Sequence, residues 1–538
     1  MPAKPAHCLW PKPLTFDLKV LTMPQNTNHA NEPKIPAPGS TRAWARRPSV
    51  HFTPRANWMN DPNGLVYYQG EYHLFYQYNP QGEHWGHLSW GHAVSRDLVH
   101  WEELPPALLE DAEWMIFSGS AVLDVHNTSG LGEPDNPPLV ALYTGQRQKP
   151  GRGQNQQLAH SLDLGRTWTK YPGNPVLDEG KDDFRDPKVF WHASTKRWIM
   201  VLALPTEFAL ALYSSENLIQ WRFLSRFECP EGCRGIWECP DLFPLTVDGD
   251  FTQQKWVLKI DLGVGGIGAA TGGTGGFYFI GDFDGQRFTP DPKALPSPLT
   301  QTQDLPYQWV DYGKDFYAAV TWSNMPVADG RRIWIGWMND WQYSDAFPSS
   351  PWRSCMSLPR SLGLTPCRGG LTLVQTPVIQ IDKLRGTEQS LELFAIGEGR
   401  QPIPLSHPTD QALELELRFS LGQAEEFGLI LDAGQGESIR LGYHTDRQEL
   451  FLDRRHAGED IDPDFPGIHR APVEPIKGLL ELQVIIDHCA LEVFAQGGRV
   501  TLSDMVFPKE SHYRLDLYSL GGTTRLKQGW VRTLLPPE

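Results

Sequence analysis

The 538-residue sequence has no long apolar run, no long stretch of basic residues and few cysteines. Because no segment approaches about 18 consecutive apolar residues, no transmembrane helix is expected. The formal net charge is −16, from 48 basic and 64 acidic residues, which argues against nucleic acid or an anionic membrane as a partner. This balance is compatible with a neutral substrate.

The cysteines number seven and are too irregular for a disulfide framework. Two groups of candidate metal ligands stand out: Cys229, Cys233 and Cys239, and His84, His87 and His92. Neither group has the spacing of a zinc site. We therefore expect buried or idle thiols, no metal and no organic cofactor.

Residues 1–43 contain Pro2, Pro5, Pro11 and Pro13 and hold no uninterrupted apolar segment of a signal peptide. The sequence predicts a mostly disordered N-terminal tail and a cytoplasmic protein made without a classical export signal. Non-classical export stays open, as does a start at Met23.

Aromatic residues are abundant, with 20 Trp, 24 Phe and 16 Tyr. Such side chains suit all-β cores and also the apolar faces of sugar rings. Between residues 44 and 376, strand-like segments such as "YHLFYQY", "LVALYTG" and "RWIMVLAL" alternate with Gly, Pro, Asn and Asp. Long amphipathic helical periods are scarce, so the pattern predicts an all-β domain.

A weak internal repeat indicates how these strands are arranged. The segments "GHAVSRDLVHW", "LAHSLDLGRTW" and "LALYSSENLIQW" end at Trp101, Trp168 and Trp221. Each reads as a strand, a Ser, an Asp or Asn turn, and a Trp that opens the next strand. Such units indicate the blades of a β-propeller, and a sandwich with similar hairpins is the alternative.

After a linker at residues 377–384, the pattern changes to strict alternation. Residues 385–538 contain "LELELRFSL", "SIRLGYH" and "LELQVIID", in which apolar and polar residues follow each other with period two. This alternation over many short strands predicts a β-sandwich domain. Most of its acidic residues fall on outward positions, where solvated faces are expected, and no catalytic constellation is evident there.

Three acidic residues share an unusual local sequence: Asp61 in "WMNDPNG", Asp186 in "FRDPKV" and Glu238 in "WECPDLF". A proline follows each acid at once or after one residue, and apolar strand residues come next. Because proline fits the first residue of a strand, each acid is expected at a strand entrance. In a propeller, three such entrances would meet in the central funnel.

Converging carboxylates raise at least one pKa, which leaves an acid able to donate a proton near neutral pH. Two carboxyls about 5–5.5 Å apart suit a retaining glycosidase. Arg185 would keep Asp186 ionised, so Asp186 would bind substrate hydroxyls rather than transfer protons. A turn or strand-start cap would explain any one acid alone, and the repetition favours chemistry.

These three blocks resemble the signature blocks of glycoside hydrolase family 32, which includes invertases, inulinases and levanases. "FYQYNP", "FSGSAV", "VDYGKDFYAAVTW" and "GWMNDWQY" also resemble that family and follow in the expected order. The likeness covers about residues 45–538. The glycine-rich stretch Gly263–Gly276 reads as a loop between strands, and "FYFIGDFDGQRF", which follows it, resembles the fructan-degrading branch.

The resemblance implies a five-bladed β-propeller joined to a C-terminal β-sandwich. It implies that Asp61 is the nucleophile, that Glu238 is the general acid/base, and that Asp186 stabilises the transition state beside Arg185. Further positions match the lining of a fructose-binding subsite: Asn60, Gln77, Trp85, Ser118 and Trp341. Amides and hydroxyls there can bind sugar hydroxyls, and the tryptophans offer flat faces.

The expected activity is that of an exo-acting β-fructosidase, which releases terminal fructose from levan, inulin, fructo-oligosaccharides or sucrose by double displacement. Three alternatives stay open: an invertase restricted to sucrose and short oligosaccharides, a fructosyltransferase, and a non-catalytic carbohydrate-binding protein. A homo-oligomer is also left open.

Overall fold

Strands make up nearly all the regular structure of the chain. The computed structural model describes residues 47–148, 151–228, 235–264, 270–291, 308–326, 328–392, 394–406, 410–459, 461–510 and 512–536. The predicted tail at residues 1–43 lies outside this part, as do Cys229 and Cys233. Within it, the helical elements are 3₁₀ turns at Pro205–Glu207, Ser344–Ala346 and Ile379–Leu384, and none could cross a membrane.

Residues 57–377 form a β-propeller of five antiparallel blades. The first blade contains β1 (Asn57–Tyr68), β2 (Glu71–Tyr78), β3 (Ser89–Ser95) and β4 (Trp101–Leu108). The second contains β5 (Trp114–Leu123), β6 (Leu139–Arg147), β7 (Gln154–Ser161), β8 (Thr169–Lys170) and β9 (Leu177–Lys181). The third contains β10 (Arg185–His192), β11 (Arg197–Leu204), β12 (Ala209–Ser215) and β13 (Trp221–Glu228).

The fourth and fifth blades share one sheet, in which Val247 pairs with Leu364. The fourth contains β14 (Trp237–Val247), β15 (Asp250–Leu262), β16 (Gly275–Phe283), β17 (Phe288–Pro290) and β18 (Gln308–Trp309). The fifth contains β19 (Tyr317–Thr321), β20 (Arg332–Met338), β22 (Cys355–Met356), β23 (Arg360–Cys367) and β24 (Gly370–Pro377), whereas β21 (Trp352–Arg353) pairs with β1 in the sheet of the first blade. The five inner strands β1, β5, β10, β14 and β19 contact one another in a closed ring.

The strands between Arg385 and Leu534 form the predicted β-sandwich of two antiparallel sheets. One sheet contains β25 (Arg385–Ser390), β26 (Ala395–Ile396), β28 (Ala412–Ser420), β33 (Leu479–Asp487), β34 (Ala490–Ala495), β35 (Val500–Met505) and β37 (Thr524–Leu534). The other contains β27 (Gly399–Pro402), β29 (Glu426–Gly434), β30 (Glu437–His444), β31 (Glu449–His456), β32 (Ile468–Pro472) and β36 (Arg514–Leu520). Alternate apolar residues, such as Leu415 and Leu417, fill the core between them.

A β-bulge interrupts each of the five inner strands near its beginning. The bulges lie between Met59 and Pro62, Ile116 and Gly119, Arg185 and Lys188, Glu238 and Asp241, and Tyr317 and Val320. Proline fits such a place because it has no N–H to give to the ladder, and a bulge turns side chains to new directions. The five bulges therefore aim side chains into the centre of the ring.

The predicted strand entrances need one correction. Asp186 and Glu238 are the second residues of β10 and β14, as expected. Asp61, however, is the fifth residue of β1. The prediction for Asp61 was wrong because β1 begins earlier, where Asn57 and Trp58 pair with the short strand β21.

A buried charge cluster joins the propeller to the sandwich. His51 lies between two carboxylates, with Nδ1 2.8 Å from Asp487 and Nε2 2.9 Å from Glu492. The guanidinium of Arg360 also donates to Glu492 and to Asp311, at 3.0 Å for the latter. Because all these side chains are buried, the cluster holds the two domains together through paired charges.

Candidate active site

The three acids of the sequence motifs meet at the bulges of the inner strands, and Cys239 connects two of them. The thiol of Cys239 lies 3.4 Å from Oδ2 of Asp61. The backbone N–H of the same residue donates to Oδ2 of Asp186 at 2.9 Å. Since Glu238 precedes Cys239 in β14, one bulge brings all three carboxylates together.

Asp61 is buried and accepts three hydrogen bonds. Ser118 from β5 donates to its Oδ2 at 2.6 Å, and the amide of Asn60 donates to its Oδ1 at 3.1 Å. The indole of Trp58 in turn donates to the Asn60 side-chain oxygen at 2.7 Å, which fixes that amide. Burial raises the pKa of Asp61, and the hydrogen bonds from Ser118 and Asn60 oppose the rise.

Asp186 is buried in a strained backbone position. Its φ of +65° lies in the left-handed region, and its own N–H donates to Oγ1 of Thr144 at 3.0 Å. Burial raises its pKa to about 7, with the charge of Arg185 opposing and that of Glu238 adding to the rise. Burial thus outweighs the charge of Arg185, contrary to the prediction that Arg185 keeps this carboxyl ionised.

Glu238 is only half-buried, and a cation and a phenol hold its carboxylate. Arg185 donates to Oε1 from Nε at 3.1 Å and from Nη2 at 2.8 Å. The hydroxyl of Tyr317, the first residue of β19, donates to Oε2. Tyr317 was not among the predicted site residues, although it lies in the segment "VDYGKDFYAAVTW". With it, all five inner strands contribute a side chain.

A buried ion pair on the neighbouring strand supports the β14 bulge. Lys259 on β15 pairs with Asp261 and donates to the carbonyl of Cys239 at 3.1 Å. Asp261 stands directly across the strand pair from Glu238. Burial raises the pKa of Asp261 to about 7, and Lys259 opposes the rise.

The remaining predicted sugar ligands surround the acids at varying depth. Gln77 is buried at the end of β2 and donates to the carbonyl of Ile116 in the bulge of β5 at 3.1 Å. Trp85 is half-buried in the loop after β2, with its ring edge-on to Phe117. Trp341 is half-buried after β20 and packs beside Trp58 and Trp337.

The three histidines that were weighed as metal ligands each have a different partner. His84 faces Asp345, His87 faces Glu110, and His92 lies 3.0 Å from His73. Among the described residues, no group of three or more His, Cys, Asp or Glu is arranged to hold a metal ion. Part of the Gly263–Gly276 loop lies outside the described residues, and the rest joins β15 to β16. Cys239, expected to be a buried or idle thiol, is buried and contacts Asp61.

The arrangement provides two carboxyls in unlike surroundings. Asp61 accepts from neutral donors deep in the funnel, whereas Glu238 sits nearer solvent beside a guanidinium and a phenol. An attacking carboxylate and a proton donor on opposite sides of a glycosidic bond need this kind of difference. Arg185 supplies a guanidinium bound to Glu238, and Asp186 supplies a third carboxyl, which accepts from the N–H of Cys239.

Two domain models of one protein family match most of the chain. The N-terminal domain of glycosyl hydrolases family 32 matches residues 51–377, and the C-terminal domain of that family matches residues 380–532. A levanase of Bacillus subtilis (strain 168) is 46% identical over 497 residues, covering 91% of this chain and 70% of the levanase. An extracellular exo-inulinase of Aspergillus awamori is 39% identical over 509 residues, covering 89% and 92%.

Solved structures of sugar-cleaving enzymes also match this chain in fold. The crystal structure of exo-inulinase from Aspergillus awamori superimposes with a TM-score of 0.84 at 37% identity, covering 92% of this chain and 99% of the other. The structure of β-fructofuranosidase from Schwanniomyces occidentalis with fructosyl-erythritol gives a TM-score of 0.77 at 31% identity, covering 91% and 98%.

Proposed function

The chain belongs to glycosyl hydrolase family 32, and from this premise we propose how its carboxylates release terminal β-linked fructose from fructans, fructo-oligosaccharides and sucrose. The protein is an exo-acting β-fructosidase, as its likeness to levanases and exo-inulinases over most of the chain supports. The reaction is a double displacement with retention of configuration.

In the first step, Asp61 attacks the anomeric carbon of the terminal fructose, and a covalent fructosyl-enzyme forms. Ser118 and Asn60 donate to the Asp61 carboxylate, which favours its ionised form and fixes its direction. The bond to the leaving oxygen breaks as Glu238 protonates that oxygen. The leaving sugar or fructan chain then departs.

In the second step, Glu238 takes a proton from water, and the hydroxide oxygen attacks the same carbon. Fructose is released, and Asp61 is restored as a carboxylate. Arg185 and Tyr317 keep the Glu238 carboxyl in place through both steps. Asp186 binds the fructose hydroxyls and stabilises the positive charge that develops on the ring in the transition state.

One observation carries this proposal. Cys239, the residue after Glu238, contacts the carboxylate of Asp61 with its thiol and that of Asp186 with its backbone N–H. A retaining glycosidase needs one carboxylate as nucleophile and another carboxyl as acid/base, and these carboxyls have different donors. The residue roles are tested by Asp61→Asn, which keeps the side-chain volume but removes the nucleophile. Turnover should fall at least about 10⁴-fold.

Asp282→Asn is a suitable control because this aspartate is exposed on β16 and pairs only with Lys255. It should leave turnover unchanged. Both variants should keep the melting temperature within a few degrees. Substantial activity in folded Asp61→Asn would remove Asp61 from the mechanism.

Product analysis separates the alternatives. Fructose alone from inulin and levan, without oligomers, supports exo-hydrolysis of polymers, whereas release from sucrose alone supports an invertase. Glucose in excess of fructose from sucrose would indicate transfer to a sugar hydroxyl instead of water. Self-association stays a prediction, which sedimentation velocity on the purified chain measures.

A further inference from the structure

A short turn in the third blade lies beside the catalytic residues. Residues 205–208 join β11 to β12, where Leu204 pairs with Ala209. One residue earlier, Ala203 pairs with Arg185 at the beginning of β10. The turn therefore stands at the end of the propeller where the funnel opens. It also lies against β14, the strand that carries Glu238.

Phe208 ends this turn in a conformation that does not suit it. Its φ is +50° and its ψ is 47°, the left-handed region that glycine or asparagine normally occupies at such a position. Phe208 is 39% exposed, unlike the buried core residues of this blade. Neither the turn nor the packing requires an aromatic residue here, and a strained residue beside an active site points to a function.

Two cations hold the turn in place. Glu207 accepts from Lys181 at 2.6 Å and from Arg226 at 2.5 Å. Arg226 also donates to the backbone carbonyl of Glu207 at 3.3 Å, and the N–H of Phe208 donates to the carbonyl of Pro205 at 3.4 Å. The residue before Phe208 is thus anchored by both its side chain and its backbone, which limits the positions open to the ring.

The same loop carries an aromatic residue in two other blades. Trp85 lies in the loop between the second and third strands of the first blade, and Trp341 follows the second strand of the fifth. Because all blades run in the same direction from the centre, these loops open at the same end of the propeller. Phe208 is the counterpart of these tryptophans in the blade beside Glu238.

The register of the third blade gives the reach of this site. Arg185, Ala203 and Leu210 form one row across β10, β11 and β12, and Phe208 lies two residues beyond Leu210. With strands about 4.8 Å apart and about 3.3 Å per residue, the Cα atoms of Arg185 and Phe208 are on the order of 12 Å apart. Because Arg185 binds Glu238, Phe208 lies beyond the first leaving sugar, the one whose oxygen Glu238 protonates.

We propose that Phe208 forms a binding site for a hexose unit of the leaving chain that lies beyond the first leaving sugar. Its exposed ring offers an apolar face to the C–H side of the sugar, as aromatic residues do. The inference rests on the proposed function, since Glu238 defines the side on which the chain leaves. It makes Phe208 a determinant of chain length: fructans contact it, and sucrose, which ends at the first leaving sugar, does not.

The test compares kcat/KM for sucrose, nystose and inulin in wild type and Phe208→Ala. The variant should lose about five- to tenfold on nystose and inulin, the effect of uncovering part of an aromatic ring, and should keep its rate on sucrose. Phe251→Ala is the matched control. Phe251 is 84% exposed at the start of β15, at the end of the fourth blade that lies away from the funnel opening. It should change none of the three rates.

Phe208→Gly separates binding from folding. Glycine relieves the positive φ, so the melting temperature should stay or rise while the loss on inulin remains. A fall in melting temperature together with equal losses on sucrose and inulin would overturn the inference, as would unchanged rates on all three substrates.

Binding measured without turnover keeps this test independent of the mechanism. Calorimetry with nystose should show weaker binding to Asp61→Asn/Phe208→Ala than to Asp61→Asn alone. Equal affinities would overturn the role of Phe208. A wild-type protein that cleaves neither sucrose nor inulin would instead overturn the proposed function, and the calorimetric comparison would still decide on Phe208.

Discussion

The thiol of Cys239 lies 3.4 Å from Oδ2 of Asp61, so the residue after the proposed acid/base contacts the proposed nucleophile. Its φ of +46° belongs to the bulge that makes this contact possible. The nucleophile and the acid/base thus come from different blades but are set by one local backbone distortion. Groups that support this bulge should therefore affect catalysis without touching the substrate.

Lys259 is the first such group. Lys259→Met leaves Asp261 as an uncompensated buried charge and removes the donor to the Cys239 carbonyl, so it should destabilise the fold by about 3 kcal/mol. Lys259→Met/Asp261→Asn should regain most of that stability but not the lost kcat. Denaturant unfolding and sucrose hydrolysis measure the two effects. Full recovery of kcat in the double variant would mean that the Cys239 carbonyl needs no support.

Ser118 should set the acid limb of the pH profile. Burial raises the pKa of Asp61, and the hydrogen bond from Ser118 lowers it. Removing the hydroxyl in Ser118→Ala raises that pKa further, so the acid limb of kcat/KM should move to higher pH. Ser120→Ala is the control: this serine lies on the same strand and donates to the carbonyl of Pro187 instead. A limb at the same pH in Ser118→Ala and wild type would contradict the assignment.

Tyr317 should matter for the protonation steps. Tyr317→Phe removes the phenol that holds Oε2 of Glu238, and we expect kcat for sucrose to fall about tenfold because the proton donor loses its orientation. The matched control is Tyr76→Phe, which removes a hydroxyl that donates to Glu103 at 3.0 Å, a residue of β4 in the first blade. If both variants keep the wild-type kcat, Tyr317 plays no part.

The stability of the molecule should fall in mild alkali because of His51. Burial opposes a charge on this ring, but Asp487 and Glu492 overcome that effect and raise its pKa to about 9, above the ordinary 6.5. A raised histidine pKa contributes stability that is fully present below about pH 6.5 and is lost as the pH rises through 9. The melting temperature of wild type should therefore fall over this range.

His51→Gln provides the comparison. It should cost about 3 kcal/mol at pH 6 because Asp487 loses its charged partner. Its melting temperature should change less between pH 6.5 and 9 than that of wild type. Parallel curves for the two proteins would show that His51 does not titrate in this range.

Sequence patterns predict both domains and the three acids of the site, because each of these features depends on a short segment of sequence. Asp61, Asp186 and Glu238 each precede a proline by one or two positions in a strand-like segment, and period-two alternation predicts the sandwich. These features are local, so they are visible without knowing which strands pair.

The supporting groups could not be found in this way. Tyr317 lies 79 positions from Glu238 along the chain, and Lys259 reaches Cys239 only through the pairing of β14 with β15. The bulges depend on the same pairings, which explains the misplaced strand entrance at Asp61. A cysteine without partners in the sequence likewise gives no sign that it will contact a carboxylate. Phe208 could not be found from the sequence either, since its positive φ is visible only in the structure.

The central claim is that Asp61 forms the covalent bond to fructose, and trapping that intermediate tests it most directly. In Glu238→Gln, both protonation of the leaving group and activation of water are impaired. Fructosyl fluoride, whose leaving group needs no proton, should therefore load the enzyme faster than water clears it. After an acid quench and proteolysis, mass spectrometry should find one added anhydrofructose unit on the peptide that contains Asp61. The same adduct on the peptide that contains Asp186, with the Asp61 peptide unmodified, would contradict the account.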